Sequence, residues 1–279
     1  MDGNQSHLED ILNTDHKTAS IIFAAGKGSR MKDFEGNKTL LPLRSGQSPY
    51  EGSHPMLIQV LNCLPPGPKA LVINYKKEDV IEVTRSLGLT YCEQPLLNGT
   101  GGALLASQEF LKTLDQDKLI ITYGDTPLVR PATYRNMVKE LTSCHLVVLG
   151  FSPRDKKQYG VLEIAGDTVR SIIEWKYWMT YSEERQKQLE VCNSGVYAVR
   201  KDDLIRYLPA LEMRPHMATK ERNGKMVEVE EFFITDLVEL MHDGGLKIGY
   251  VMTEDENEAI GVDDLPTLIK AQKLFSTSL

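Results

Sequence analysis

Short apolar runs rich in β-branched residues alternate with amphipathic stretches from Ala19 to Phe151. Ala19–Ala24 (ASIIFA), Ala70–Asn74 (ALVIN), Leu89–Glu93, Lys118–Tyr123 (KLIITY) and His145–Phe151 (HLVVLGF) read as strands, most of them too apolar for a half-exposed sheet. Between them Ile58–Leu64, Glu78–Leu87, Gly102–Leu114 and Thr133–Leu141 carry helical spacing. Regular alternation of this kind predicts βαβ units. The fold class expected is α/β, a Rossmann-like mixed, mostly parallel sheet with helices on both faces.

After Phe151 the pattern changes. Tyr159–Ile164 and Val169–Glu174 flank Ala165-Gly166-Asp167 and predict a hairpin. Cys192–Val199 is a further strand, and Leu204–Leu208 opens a helix. Residues 209–230 are polar, with Pro and Gly, and are expected to form a long loop. Glu231–Met241, Lys247–Thr253 and Leu265–Phe275 read as helix, strand and helix. No repeat and no linker interrupts the chain. Residues 19–279 are therefore expected to form one domain with a small antiparallel portion, after a polar extension over 1–18 with a short helix near His7–Leu12.

Composition narrows the partners. The 279 residues include 32 Lys+Arg against 39 Asp+Glu, a net charge of −7. An acidic chain is a poor general binder of nucleic acid, yet a few local cations suffice for a phosphorylated small molecule. The N-terminal MDGNQSHLEDILNTDHK is too polar and acidic for a signal or transit peptide, and no run spans a bilayer. Cys63, Cys92, Cys144 and Cys192 lie far apart and read as reduced thiols, which with the rest predicts a cytoplasmic protein. The six histidines show no zinc spacing.

The first candidate chemistry follows the first strand. Ala24-Ala25-Gly26-Lys27-Gly28-Ser29-Arg30-Met31 joins glycines, which expose backbone N–H groups, to two cations. That combination suits a phosphate cradle; a plain strand-to-helix turn with solvated cations is the bland alternative. It is not a dinucleotide fingerprint, since Met31 stands where the third glycine belongs, and it is not a Walker loop.

The same octapeptide resembles the signature of the sugar-nucleotide pyrophosphorylases, nucleotidyltransferases of the GT-A-like fold, and within them the uridylyltransferase domain of bifunctional N-acetylglucosamine-1-phosphate uridylyltransferases. Further segments match in order: Asn37-Lys38-Thr39-Leu40 (P-K-x-L), Gln94 five residues before Gly99-Thr100-Gly101, Tyr123-Gly124-Asp125, Tyr159-Gly160, Glu174-Trp175-Lys176, Asn193-Ser194-Gly195, Ile234-Thr235-Asp236 and Gly261-Val262-Asp263. The departures are Asn37 in place of Pro, Gly102 where His often follows G-T-G, Asp263 where Asn is usual, and a longer 44–55 segment. The hexapeptide repeats of the bifunctional relatives have no counterpart, so acetyl transfer is not expected.

The resemblance implies a Mg²⁺-dependent transfer of a nucleotide, UTP first, to a sugar 1-phosphate, with release of pyrophosphate. It implies Asp125 and Asp263 as metal ligands, although an Asp before Leu265-Pro266 equally suits a helix cap. Ala24, Ala25, Gly26, Gln94, Gly99, Thr100 and Gly124 fall to the nucleotide, with Gln94 on the base and Gly99 and Gly101 allowing close approach to base or ribose. Gly160, Glu174, Asn193 and Thr235 fall to the sugar. The phosphate of a sugar phosphate is already an anionic nucleophile at neutral pH, so charge neutralisation carries the reaction. Lys27 and Arg30 are placed on the departing pyrophosphate and Lys38 near the α-phosphate. A cytidylyl- or thymidylyltransferase and a non-catalytic nucleotide-sugar-binding regulator of the same fold are the alternatives, with a dinucleotide-dependent oxidoreductase a distant third.

Overall fold

A computed structural model describes residues 18–31, 34–222 and 225–277. The expected helix near His7–Leu12 lies outside the described residues. In chain order the strands are β1 (Thr18–Phe23), β2 (Pro42–Ser45), β3 (Gly52–Pro55), β4 (Lys69–Ile73), β5 (Thr90–Glu93), β6 (Lys118–Tyr123), β7 (Leu146–Phe151), β8 (Val161–Ala165), β9 (Thr168–Ile173), β10 (Cys192–Arg200), β11 (His216–Arg222), β12 (Lys225–Glu231) and β13 (Ile248–Met252). The longer helices are α1 (Met56–Cys63), α2 (Lys77–Thr84), α3 (Gly99–Leu105), α4 (Gln108–Lys112), α5 (Pro131–Glu140), α6 (Trp175–Trp178), α7 (Glu183–Gln188), α8 (Lys201–Glu212), α9 (Asp236–Asp243) and α10 (Leu265–Thr277).

The central nine-stranded sheet runs β13-β7-β10-β6-β1-β4-β5, with the β8–β9 hairpin attached to β10. Strand β1 is parallel to β4 and β6, β4 to β5, and β7 to β13. Strand β10 is antiparallel to both β6 and β7. The sheet is thus mixed and mostly parallel, as the alternation predicts.

Adjacent residues of each strand feed opposite faces, as period two requires. Ile21, Ile121, Val148 and Val199 pack with Leu104 of α3, Leu204 of α8 and Leu237 of α9. Ile22, Ile120, Val147 and Ala198 pack on the other face with Leu57 of α1, Val80 of α2 and Met137 of α5. Burial on both faces is why these strands read as continuous apolar runs.

Three expectations are corrected. Residues 209–230 are not a loop: α8 runs through Pro209 to Glu212, and β11 and β12 then pair from His216↔Glu231 to Arg222↔Lys225. Because β12 extends through Glu231, the following helix begins at Asp236 rather than Glu231. The helix expected over 102–114 is two short ones, broken where the buried Ser107 hydroxyl donates to the Leu104 carbonyl at 2.6 Å. Residues 44–55 fold as the β2–β3 hairpin, held under α10 by Gln272, whose amide donates to the carbonyls of Pro42 and Pro49. Among the described residues no helix is long and apolar enough to cross a membrane.

Candidate active site

In open α/β sheets ligands bind at the carboxyl ends of the strands. Here the loops after β1, β5 and β6 all meet at that edge. Reversed β10 begins there, so Asn193 and Gly195 reach the same edge from the other direction. A two-residue bulge between Asn193 and Tyr197 on the β7 side breaks the register there. Gly195 has φ +82°, and a Cβ on it would lie 2.5 Å from the Tyr123 ring, so glycine is required.

The edge holds an open cavity of about 640 Å³, lined among others by Ala25, Gly26, Lys27, Lys38, Gln94, Gly99, Thr100, Tyr123 and Asp125. That size suits a nucleotide-sized ligand. Gly28 has φ +61°, and any Cβ would press on Lys38 at 2.9 Å, so this glycine lets the lysine pass. Gly26 faces open space.

Asn37 sets the direction of Lys38. The Asn37 side chain is buried; its Nδ2 donates to the carbonyls of Ala24 (2.9 Å) and Tyr75 (2.8 Å). Its Oδ1 accepts from the amide (3.0 Å) and hydroxyl (2.8 Å) of Thr39. One side chain thereby ties the end of β1, the loop after β4 and the turn that carries Lys38. The proline of the resembling segment has no such reach.

The Lys38 ammonium, its side chain 12% exposed, lies 2.6 Å from Asp125 Oδ2 and 2.7 Å from Asp263 Oδ1. Burial by itself would lower its pKa, but the two carboxylates outweigh this and hold it above the ordinary lysine value. Burial pushes the Asp125 carboxyl up, Lys38 pulls it back, Asp263 adds to the rise, and the net direction is upward. Arg30 lies 3.2 Å from the outer oxygen of Asp263, and its Nη2 donates to Gln158 Oε1 at 3.2 Å.

The capping question for Asp263 resolves into a division of labour. Asp264 Oδ1 accepts from the Thr267 amide at 2.9 Å and caps α10, and those Thr267 hydrogen bonds, working against a partial burial, lower its pKa. Asp263 is left to face Lys38 and Arg30.

Gln94 lies at the end of β5, its Nε2 donating to Asn98 Oδ1 (2.9 Å) and to the Gly99 carbonyl (3.1 Å). Gly99, which lines the cavity, and Gly101 also answer to a packing constraint. Side chains there would strike the backbone of Phe232, at 2.4 Å and 2.7 Å respectively, so the close approach is made by the 232–234 segment. Gly101 N–H donates to the Phe232 carbonyl (2.7 Å), and Thr100 Oγ1 accepts from the Ile234 amide (3.1 Å).

Ala24 and Gly124 stand behind the cavity rather than on it. Ala24 packs in the core and offers its carbonyl to Asn37. Gly124 donates to the Phe23 carbonyl (3.0 Å) and packs on Thr39 and Leu57. Gly160, Glu174, Asn193 and Thr235 form one neighbouring cluster: the Gly160 carbonyl accepts from the Asn193 amide (2.8 Å), and Thr235 Oγ1 donates to Glu174 Oε1 (2.8 Å). The Asn193 side chain is engaged internally, Nδ2 donating to the Tyr197 hydroxyl and Oδ1 accepting from the Gly195 amide. Tyr123 joins the two groups. Burial raises its pKa, while a hydrogen bond with Thr100 pulls the other way.

Residues 20–208 match the MobA-like NTP transferase domain. The chain belongs to this family. The curated relatives of this MobA-like transferase include the bifunctional protein GlmU of Ruegeria pomeroyi, 29% identical over 265 residues, covering 93% of this chain and 53% of that protein. GlmU of Brucella anthropi is 30% identical over 268 residues, covering 94% and 53%. The chain therefore spans about half the length of the curated relatives it matches. The fold is shared with a uridine diphosphate N-acetylglucosamine pyrophosphorylase from Trypanosoma brucei (TM-score 0.69, 12% identity, 96% of this chain and 69% of that one). It is also shared with a putative glucose-1-phosphate thymidylyltransferase from Bacillus anthracis (TM-score 0.64, 21% identity, 92% and 94%). A MobA-like NTP transferase is a nucleotidyltransferase, and the carboxyl-edge cavity is where its cations and carboxylates converge.

Several contributors to this transferase's site escape sequence reasoning. Asn37 and Asn98 look like ordinary turn residues, and Gln158 like a surface glutamine. Asn37 next to Lys38 and Asn98 four residues after Gln94 offered a signal in the sequence, whereas Gln158, 128 residues from Arg30, offered none. Leu97, inside the Gln94–Gly101 segment, and Ala103 just after it also line the cavity, as does Glu231, which no motif marks.

Proposed function

We propose that this chain couples a nucleoside triphosphate, UTP first, to a sugar 1-phosphate, an N-acetylhexosamine or hexose 1-phosphate, releasing pyrophosphate. The observation that carries this reading is the Lys38–Asp125–Asp263–Arg30 cluster at the mouth of a nucleotide-sized cavity. GlmU relatives across nearly the whole chain support the sugar-phosphate class.

Asp125 and Asp263 fit a divalent cation such as Mg²⁺. Both offer hard oxygens to a single cationic atom, and the described residues hold no group of three His, Cys, Asp or Glu that would bind a metal unaided. That suits an ion that takes one or two carboxylates and shares phosphate oxygens with its substrate. When bound it neutralises charge on the phosphates.

An oxygen of the sugar phosphate attacks the α-phosphorus in line. The bond from that phosphorus to the bridging oxygen of the β-phosphate breaks, and pyrophosphate leaves with the electron pair. No general base is required, because the attacking oxygen is already ionised. Lys38, freed from its carboxylates, meets the α-phosphate. Lys27 and Arg30, both exposed on the loop after β1, hold the departing pyrophosphate. Gln94 orients the base, and the Gly160, Glu174, Asn193 and Thr235 cluster receives the sugar. Holding two anions in line and neutralising them supplies most of the rate.

The test is a panel of the four nucleoside triphosphates against sugar 1-phosphates with Mg²⁺, read as pyrophosphate. Release that needs both substrates supports the reading. A protein that binds nucleotide sugar and releases none is instead a regulator on the same fold.

A further inference from the structure

The end of β5 carries an arrangement that the transfer chemistry does not require. Asn98 stands at the N-terminal cap of α3, where an asparagine normally accepts a hydrogen bond from the first turn. It does not cap; its Oδ1 accepts from Gln94 Nε2 at 2.9 Å instead. The backbone of Asn98 is pinned on both sides, its amide donating to the Leu96 carbonyl and its carbonyl accepting from the Phe232 amide. The space the side chain fills exists because residue 102 is glycine: a Cβ there would sit 1.8 Å from Asn98 Oδ1.

The second partner of Gln94 Nε2 is the Gly99 carbonyl at 3.1 Å. A backbone carbonyl only accepts, so the end of the amide that meets it must be the NH₂ group. Turning the amide over would place Gln94 Oε1 against the Gly99 carbonyl and, with Asn98 standing as it does, against Asn98 Oδ1. The backbone of Gln94 is fixed as well, its amide donating to the Ile73 carbonyl and its own carbonyl accepting from Asn74 Nδ2. Gln94 lines the cavity, and with Nε2 taken up by both partners the atom left to serve a ligand is Oε1, an acceptor.

We propose that Asn98, in the space opened by Gly102, is a positioning residue that commits Gln94 to present an acceptor. The base it selects then carries a ring N–H on the facing edge, uracil or thymine, over cytosine, whose ring nitrogen offers a lone pair there. This deepens the proposed function and rests on its placing of the base at Gln94. Without Asn98 the Gln94 amide can turn at lower cost, and discrimination between the pyrimidines relaxes.

The experiment compares kcat/KM for UTP and for CTP in the wild type and in three variants, with thermal unfolding alongside. Asn98→Ala removes the lock. Gly102→Ala drives the Asn98 side chain out of its space, yet Gly→Ala in a helix ordinarily favours the helix. Asn98→Asp keeps an acceptor against Gln94 Nε2. We expect a wild-type preference for UTP that falls by roughly tenfold or more in both alanine variants, the scale of one mispaired polar group. Asn98→Asp retains it, and Gly102→Ala loses selectivity without losing thermal stability. Equal use of UTP and CTP by the wild type, or an unchanged ratio in both alanine variants, overturns the inference while leaving the transferase reading intact. No turnover with any nucleotide overturns both.

Discussion

The amide of Val262 donates to the carbonyl of Asp125 at 2.9 Å. This one backbone bond clasps the end of β6 to the segment before α10, and so brings Asp263 beside Asp125. Lys38 closes the arrangement from a third direction. Two carboxylates distant in the chain are thus fixed around one ammonium, and removing that ammonium leaves Asp125 without its ion-pair partner.

In Lys38→Met the two carboxylates face each other with only the exposed Arg30 guanidinium, on the outer oxygen of Asp263, as a neighbouring cation. Nucleotide-free protein should then bind Mg²⁺ about tenfold more tightly, because the ammonium no longer competes for the same oxygens. With metal withheld, the variant should lose about 3 kcal/mol of stability, as removing one partner of a buried ion pair does. Much of that should return on adding Mg²⁺. Titration calorimetry and thermal scans with and without EDTA measure both effects, and turnover should fall at least a hundredfold.

Arg30→Ala separates function from folding. Arg30 is 59% exposed and its ion pair with Asp263 is open to water, so its loss should cost less than about 1 kcal/mol. If the guanidinium stabilises the leaving pyrophosphate, kcat should drop by roughly a hundredfold. Unchanged turnover would remove Arg30 from the mechanism.

Asn37→Ala forfeits the four hydrogen bonds that tie Ala24, Tyr75 and Thr39. The cost should be about 3 kcal/mol, mostly from carbonyls left unpaired. Asn37→Pro loses the same bonds, but the native φ of −74° suits proline, which also restricts the unfolded chain. Denaturant unfolding should rank the wild type first, Asn37→Pro second and Asn37→Ala last; alanine above proline would contradict this.

Stability should fall on the alkaline side. Burial pushes the Cys192 thiol up to about 12, against a smaller pull from Lys156, and burial likewise raises the phenols of Tyr134 and Tyr197. An acid whose pKa rises on folding keeps its proton in the native state while the unfolded chain releases it, so stability declines as pH rises. Lys38 acts in the same sense: against burial, its carboxylates raise it, and the stability it contributes below the unfolded value is lost as pH climbs. Tm should hold from neutrality to the ordinary thiol value of 9.0 and decline beyond it. A Tm rising with alkalinity would refute this.

The strands of the central sheet were legible to within a residue or two because both faces of that sheet are buried, which leaves apolar runs with sharp ends; β2 and β3, outside it, were not. The β11–β12 hairpin was hidden. It pairs only with itself; its local signs, Asn223-Gly224 as a favoured hairpin turn pair and Val227 and Val229 alternating with Glu228 and Glu230, were outweighed by Pro209, which suggested a chain already out of helix. Within the site, residue types announced the cations and carboxylates. Assigning Asp263 against Asp264 required the fold, since either suits a cap. That Gly99 and Gly101 also make room for the backbone of Phe232 was not legible, because that segment is remote in sequence.

The reversed direction of β10 also decides where the molecule tolerates engineering. With loops of both parallel and antiparallel strands gathered at one edge, the opposite edge is left to connections remote from the cavity. The turn at Gly245 before β13 is one of them, with φ +82° and open space around its α-carbon. A tag, label or surface tether placed there would leave the chemistry facing free solution.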